Sequence, residues 1–409
     1  MSGIVTLFSI GLLGASTLFL LVAILVVLWF ARKIRQPNLL DQLPSMTILK
    51  PICGLEERLE ENLCSFCDQD FPAYQIIFAV QDRRDPAIPI IKKVISKFPD
   101  KDLSLTVNER VHGKNLKASN LVNMFEKARH DIIVVADSDV RVKRDYLKSI
   151  ATPFFNNNVA AATCLYSGAG DRNLASRLGV MFMNDWFLPS ALISAFFVDL
   201  KYCFGATMAI RRDVLNKIGG FEALTNFLAD DYMLGKAVVK QGYKVALVPY
   251  IVENIVSESN LKSLFYHELR WARTIRSVQP KGYTMSFITE AFPISILTGM
   301  FIYLYSSSLA WTILPIITTL TLRITLHCIV QKNLARSAVY TPWLIPARDL
   351  FTLGVRIVSL FGRKVRWRGQ TMIVCKEGRL SPLFKQSSKK TKKIGTQNEK
   401  DTASQPTYV

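Results

Sequence analysis

Histidine is scarce in this chain, four residues in 409, and the glycine-rich phosphate loops of dinucleotide-binding and P-loop folds are missing. The missing loops exclude NAD and ATP folds of those types. With His267 the one imidazole near any cluster of acids, a carboxylate is what the composition leaves available as a general base. The seven cysteines are odd in number and scattered, and "CSFC" (Cys64, Cys67) has no second pair, so reduced structural thiols are expected rather than a zinc or redox centre. Acidic residues are outnumbered, 32 against 51 Lys and Arg, for a formal net charge of +19. That surplus forms neither a groove-reading helix nor a repeated basic-aromatic platform, so nucleic acid is not the expected partner. Anionic lipid headgroups suit it better.

What the chain has in quantity is apolar length. "SIGLLGASTLFLLVAILVVLWF" (Ser9 to Phe30) is uncharged and would span roughly 33 Å as a helix, enough to cross a bilayer. Met1 to Phe8 carries no charge and "ARKIR" follows the run, so a membrane anchor over residues 1–36 is expected, not a cleaved signal peptide. The positive-inside rule then places the chain beyond Arg32 in the cytoplasm. Ala291 to Val330 is long enough for two further crossings joined near Ser306–Ser308, assigned to residues 286–331. In residues 332–385 a third stretch carries Arg348, Asp349 and Arg356, and charge within a bilayer is expensive. An interfacial or re-entrant helix is expected there, with a fourth span as the other possibility. Residues 386–409 read as a disordered basic tail.

Residues 37–285 alternate short apolar runs with amphipathic ones. "MTILKPI", "QIIFAVQD", "LSLTV" and "DIIVVADSD" read as strands, and "LEENLCSFCDQ", "IPIIKKVISKF" and "NLKASNLVNMFEKAR" as helices between them. Such succession predicts an α/β fold with a mostly parallel sheet covered on both faces. Ligands in such sheets bind beyond the carboxyl ends of the strands, so Asp82 and the pair Asp137 and Asp139 should converge on one crevice. One aspartate would serve a turn. Two repel each other unless a cation lies beside them, and Mg²⁺ or Mn²⁺ could there neutralise the phosphates of a bound nucleotide. Asp230 and Asp231 open the helical run "YMLGKAVVKQG", where a helix cap would explain one of them. Arg270, Trp271 and Arg273 lie in "FYHELRWARTIRS", read either as a solvated basic face or as part of the site. Arg177 to Val198 is either a buried core helix or an apolar wall that receives an acceptor's tail, with Asp185 and Trp186 in it.

Asp82, Asp137-Ser-Asp139, Asp231 and Arg270-Trp271, in that order and between membrane segments, resemble the motif series of membrane-embedded inverting glycosyltransferases with the GT-A fold. "LKPICG", "VQDRRDPAI", "GATMAIRRDVLNKIGGF" and "LADDYMLG" are similar to the ceramide glucosyltransferase-like family, and "RVHGKNLKASNL", "TCLYSG" and "HELRWARTIRS" to its hopanoid-biosynthesis branch. The resemblance implies a Rossmann-like GT-A domain and a divalent cation on Asp139 and Asp137. Asp82, Asp137, Lys117, Arg270, Trp271 and Arg273 would contact a UDP-sugar donor. Asp231 would be the base with Asp230 beside it, and His267, Trp186 and Asp185 would lie on the side of a membrane-lipid acceptor. His267 departs from the Gln or Arg usual at its motif position. The implied reaction is transfer of N-acetylglucosamine from UDP-GlcNAc to bacteriohopanetetrol with inversion, at the cytoplasmic face of a bacterial inner membrane. Transfer of glucose from UDP-glucose to ceramide, or another glycolipid synthesis, is the alternative. A processive polysaccharide synthase would need more spans for its channel, and a lipid-binding protein without activity has no use for five ordered aspartates.

Overall fold

In a computed structural model the structure describes residues 2–34, 43–170, 173–367 and 369–382, so the tail expected over 386–409 lies outside the described residues. The strands β1 (Met46–Pro51), β2 (Tyr74–Val80) and β4 (Ile132–Ala136) are buried at every position, as apolar runs covered on both faces must be. With β3 (Asp102–Val107), β5 (Val140–Arg141), β6 (Val159–Ala169), β7 (Thr207–Arg211) and β8 (Lys244–Ile255) they make one eight-stranded sheet in the order β3-β2-β1-β4-β7-β6-β8-β5. The pairs β1/β2, β2/β3, β1/β4 and β6/β8 are parallel, and β7 runs antiparallel between β4 and β6. This is the mostly parallel GT-A architecture expected.

The helices follow the expected alternation. α1 (Ser2–Ile34) leads, then α2 (Leu59–Cys67), α3 (Ile88–Lys97) and α4 (Leu116–Phe125) return the chain between the parallel strands. α5 (Tyr146–Ala151), α6 (Leu174–Met181), α7 (Leu188–Phe197), α8 (Arg212–Lys217) and α9 (Asp230–Lys240) follow. Between α6 and α7, Phe182–Phe187 form a π-helical turn, the wide kind of turn that often re-aims side chains at sites. α10 (Leu261–Val278) starts on a capping box, in which Asn260 accepts from the Ser263 N–H at 2.9 Å and Ser263 Oγ accepts from the Asn260 N–H.

Then come α11 (Pro280–Met285), α12 (Ala291–Ser306), α13 (Leu309–Asn333) and α14 (Ile345–Leu360). α1, α13 and the segment Leu174–Phe197 are long and apolar enough to cross a membrane. α12 forms a pair with Pro280–Thr289 bent by 62°. α1, α12 and α13 pack together, and Thr298 Oγ1 on α12 donates to the Ser9 carbonyl of α1. Leu174–Phe197 differs from the other two, because it is 56% buried within the protein where α1 and α13 are 28% buried. The expected boundary at Ser306–Ser308 falls where α12 ends and α13 begins.

α14 explains the charges that made residues 332–385 costly as a span. Arg348 is bidentate to Glu268 of α10 at 2.6 and 2.7 Å, Arg323 of α13 is bidentate to Asp349 at 2.6 and 2.9 Å, and Arg356 reaches Glu290 at 2.7 Å. All six side chains are buried. The expectation for this region omitted a three-stranded antiparallel sheet of β9 (Lys364–Trp367), β10 (Gln370–Val374) and β11 (Leu380–Pro382). Its apolar face (Val365, Met372, Val374, Leu380) packs on Leu228, just ahead of Asp230.

Removing one partner of a buried ion pair strands the other charge, at about 3–5 kcal/mol, whereas replacing both with apolar groups is often neutral. Arg348→Met should therefore lower the thermal midpoint in detergent, and adding Glu268→Leu should restore most of it. Midpoints that fall equally in the single and double variants would contradict a compensated pair.

Candidate active site

Three loops at the carboxyl edge of the sheet bring the acids together. Asp137 and Asp139 follow β4, and the turn is held by Lys50 of β1, whose Nζ donates to the Asp137 carbonyl at 2.5 Å. From α4, Lys117 Nζ contacts Asp137 Oδ1 at 2.6 Å and the Gly205 carbonyl at 3.4 Å. Gly205 abuts Asp231, since a Cβ there would stand 3.0 Å from Asp231 Oδ2. The chain Asp137, Lys117, Gly205, Asp231 thus runs across one crevice.

Asp230 and Asp231 occupy the first turn of α9 and neither is its cap, because Ala229 holds that position. Asp230 is buried, with Oδ1 accepting from Asn115 Nδ2 at 3.4 Å. Asn115 also caps α4 and donates to the Phe227 carbonyl at 2.8 Å, which ties the loop before α9 to α4. Asp231 is half-buried and its Oδ1 accepts from the Tyr232 N–H at 2.7 Å. Burial and the charge of Asp230 push the Asp231 carboxyl up to about 7, and burial raises Asp230 as well. A carboxylate so raised takes a proton readily near neutral pH.

Beside the Asp137 turn, burial and Asp137 lift Asp139 to about 6, and burial and Asp139 lift Glu56 to about 7. Burial lowers Lys50 to about 7 against the pull of Asp137, Asp139 and Glu56. Burial alone would push the Lys117 ammonium down, but the carboxylates of Asp137, Asp230 and Asp231 outweigh it and hold it protonated. Asp139 Oδ1 and Glu56 Oε2 are buried without a hydrogen-bond partner among the described residues. Raised, unpartnered carboxylate oxygens of this kind fit a hard divalent cation. No cluster of three or more His, Cys, Asp or Glu side chains among the described residues forms a cage for one, so phosphate or water oxygens would have to complete its shell.

Arg270 faces the same crevice from α10 and makes no side-chain hydrogen bond or ion pair among the described residues. Burial lowers it to about 10 against attraction to Tyr166, Asp137, Glu258 and Asp139, so it stays cationic. His267 bonds through Nδ1 to Glu258, and its ring stands edge-on to Trp271 at 4.5 Å. Burial pushes Glu258 up, but the hydrogen bond and charge of His267 and the charge of Arg270 more than offset it. Trp271 lies 5.7 Å from Phe182, which stacks on Trp186 at 5.0 Å. Trp186 Nε1 donates to Thr289 at 2.8 Å, joining this aromatic wall to the segment before α12.

Three candidates have other neighbours. Asp185 is buried and bonded to His327 of α13 at 2.8 Å, so the structure gives it a packing partner where an acceptor contact was expected. Arg273 donates to the carbonyls of Phe361 and Lys364, away from the acids. Asp82 is exposed two residues beyond β2 and accepts from the Arg84 N–H at 2.8 Å. Lys50, Glu56, Tyr166 and Glu258 belong to the site and were not foreseen. The signal for Glu56 lay in its place just after the first strand.

The model of the family described as Glycosyl transferase family 21 matches residues 12–380. Ceramide glucosyltransferase 3 of Caenorhabditis elegans is 23% identical over 256 residues, 62% of this chain and 55% of that protein. Ceramide glucosyltransferase of Candida albicans is 38% identical over 117 residues, 25% of this chain and 21% of that protein. The chain thus spans about half the length of the first relative and about a fifth of the second. Among solved structures, a mannosyltransferase from Pyrobaculum calidifontis in complex with GDP-Man and Mn²⁺ is 16% identical with a TM-score of 0.49, covering 86% of this chain and 99% of that one. S. aureus TarS in complex with UDP-GlcNAc is 16% identical with a TM-score of 0.38, covering 82% and 98%.

A group raised in the folded state binds more protons than in the unfolded chain, so stability falls as pH rises through the window between the two values. For Asp139 that window runs from 3.8 to about 6 and is worth on the order of 1–3 kcal/mol. Metal-free Asp139→Asn should therefore match wild type near pH 4 and melt higher at pH 7.5. Mn²⁺ should raise the wild-type midpoint and leave the variant's unchanged. An Mn²⁺ shift of equal size in both proteins would remove Asp139 from the metal site.

Proposed function

The chain belongs to glycosyl transferase family 21, and from that membership we propose that it transfers a sugar from a UDP-sugar to the hydroxyl of a membrane lipid. The observation that carries this reading is the half-buried Asp231, raised to about 7 and linked through Gly205 and Lys117 to the opposite pole at Asp137, Asp139 and Arg270. Displacement at a sugar's anomeric carbon needs a base at one end and a neutralised leaving group at the other.

Asp231 takes the proton of the acceptor hydroxyl as its oxygen bonds to the anomeric carbon. The bond from that carbon to the donor's phosphate oxygen breaks, and its electron pair leaves on UDP. Attack from the face opposite the leaving group inverts the centre. Lys117 and the unpaired Arg270 offset the diphosphate's charge, and Lys50 fixes the turn that presents Asp137. A divalent cation, Mn²⁺ or Mg²⁺, held by Asp137 and Asp139 would add Lewis-acid neutralisation of the diphosphate. A base of this kind typically contributes 10²- to 10⁴-fold.

The acceptor side is the wall of Phe182, Trp186 and Trp271, beside a small cavity that α10 and α14 also line. It suits a lipid whose hydroxyl meets Asp231 while its hydrocarbon stays in the bilayer. The three apolar helices support a multi-pass membrane protein. Arg32 and Lys33 in the last turn of α1 favour a crevice on the cytoplasmic face, and the hopanoid-like wording favours a bacterial inner membrane. Bacteriohopanetetrol with UDP-GlcNAc is the substrate pair we propose, on the wording of "RVHGKNLKASNL" and "HELRWARTIRS". Ceramide with UDP-glucose is the second reading, favoured by the ceramide glucosyltransferases among the relatives.

Purified protein incubated with each UDP-sugar and each lipid, with products identified by mass, should yield a glycosylated hopanoid carrying N-acetylhexosamine. Glucosylceramide as the sole product would replace the substrate pair, and no product in any combination would remove the activity. Because Asp231 must be ionised to accept a proton, the rate should rise about tenfold per pH unit below about 7 and level above it. A rate that falls across that range would contradict a carboxylate base.

A further inference from the structure

Tyr166 stands in the crevice without a role in the chemistry so far. It lies on β6 beyond residue 163, where the pairing with β7 stops and β8 continues alongside. That half of the strand runs past the Asp137 turn, since the Asp139 carbonyl accepts from Ile255 at the end of β8 at 2.9 Å. Its ring stacks on Phe187 at 4.3 Å and 21°, and Phe187 stands edge-on to Phe204, the residue before Gly205, at 5.6 Å. The stack orients the phenol ring, and Phe204 braces Phe187 behind it.

The Tyr166 hydroxyl makes no hydrogen bond among the described residues, and the charges acting on it are, in order, those of Asp231, Asp139, Asp137 and Arg270. Burial and the three carboxylates raise the phenol well above its ordinary range, so it keeps its proton and remains a donor. In-line displacement puts the base and the leaving group on opposite sides of the reacting carbon. Tyr166 is joined to both ends by contacts, through Phe187 and Phe204 to Gly205, which abuts Asp231, and through β8, its neighbour strand, to the Asp139 carbonyl.

We propose that the Tyr166 hydroxyl hydrogen-bonds the transferred sugar, with its ring and Phe187 forming one wall of the sugar subsite between Asp231 and the diphosphate pole. The inference rests on the glycosyltransferase reading above, and it names a substrate-positioning residue that neither the acid motifs nor Arg270-Trp271 contain. Tyr166 contacts the sugar and not the nucleotide, so its loss should separate the affinities of UDP and UDP-sugar.

Tyr166→Phe keeps the stacked ring and removes only the oxygen. Calorimetric titration of full-length protein in detergent with Mn²⁺ should show UDP affinity within twofold of wild type and UDP-sugar affinity, for UDP-GlcNAc or UDP-glucose, weakened roughly 3- to 10-fold. The melting midpoint should be unchanged. UDP-sugar binding within twofold of wild type, or equal loss for UDP and UDP-sugar, would overturn the proposal while leaving the parent reading intact. Wild-type protein that binds neither ligand would instead remove the parent reading, and this assignment with it.

Discussion

Like charge crowded into a poorly solvated crevice is the constraint on which the rest of this molecule depends. Asp137, Asp139, Glu56, Asp230 and Asp231 share one edge of the sheet, and the structure opposes them with two buried lysines and Arg270. Lys117 has the central position, touching Asp137 at 2.6 Å and lying under the influence of Asp230 and Asp231. Burial first, and the like charge of a neighbouring carboxylate second, raise the carboxyls of Asp139, Glu56 and Asp231. A divalent cation at one end and a proton at the other would relieve the same crowding, so the proposed donor site and the proposed base rest on one electrostatic fact.

A second set of buried charges holds the crevice against the apolar helices. Arg348 to Glu268 fixes α14 on α10, the helix that carries Arg270 and Trp271, and Arg323 to Asp349 fixes α14 on α13. Asp185 with His327 adds the π-helical turn of the aromatic wall to that assembly. Burying these pairs is costly unless geometry is good, and bidentate contacts between planar guanidinium and carboxylate supply that geometry. The aromatic wall of Phe182, Trp186 and Trp271 is therefore positioned by ion pairs as well as by apolar packing. Arg273 and Arg276 extend the arrangement, capping carbonyls between residues 360 and 364 from the same helix.

Much of this was legible in the sequence because it follows from periodicity and end position. β1, β2 and β4 were visible as continuous apolar runs, and Asp137, Asp139 and Asp231 as acids at the ends of predicted elements, where open α/β sheets place their sites. Residues whose role depends on a distant partner were not visible. Lys50 reads as the polar end of a strand until the Asp137 turn is brought over it. Glu258 gains meaning only through His267, nine residues on, and Tyr166 only through the stacking of Phe187. For Asp185 and Arg273, proximity in sequence to the motif residues did not reveal their partners, His327 and the carbonyls of Phe361 and Lys364. The small sheet β9–β11 was hidden by its charged, glycine-punctuated sequence, which carries too short an apolar pattern to declare a strand.

The central claim is that one carboxylate does the proton transfer while a separate pole holds the donor. Asp231→Asn keeps the shape of that side chain and removes its basicity. Measured together, UDP-sugar affinity and turnover should part: affinity within about threefold of wild type, turnover lower by at least about two orders of magnitude. Turnover within about tenfold of wild type, or a loss of affinity that matches the loss of turnover, would contradict the account.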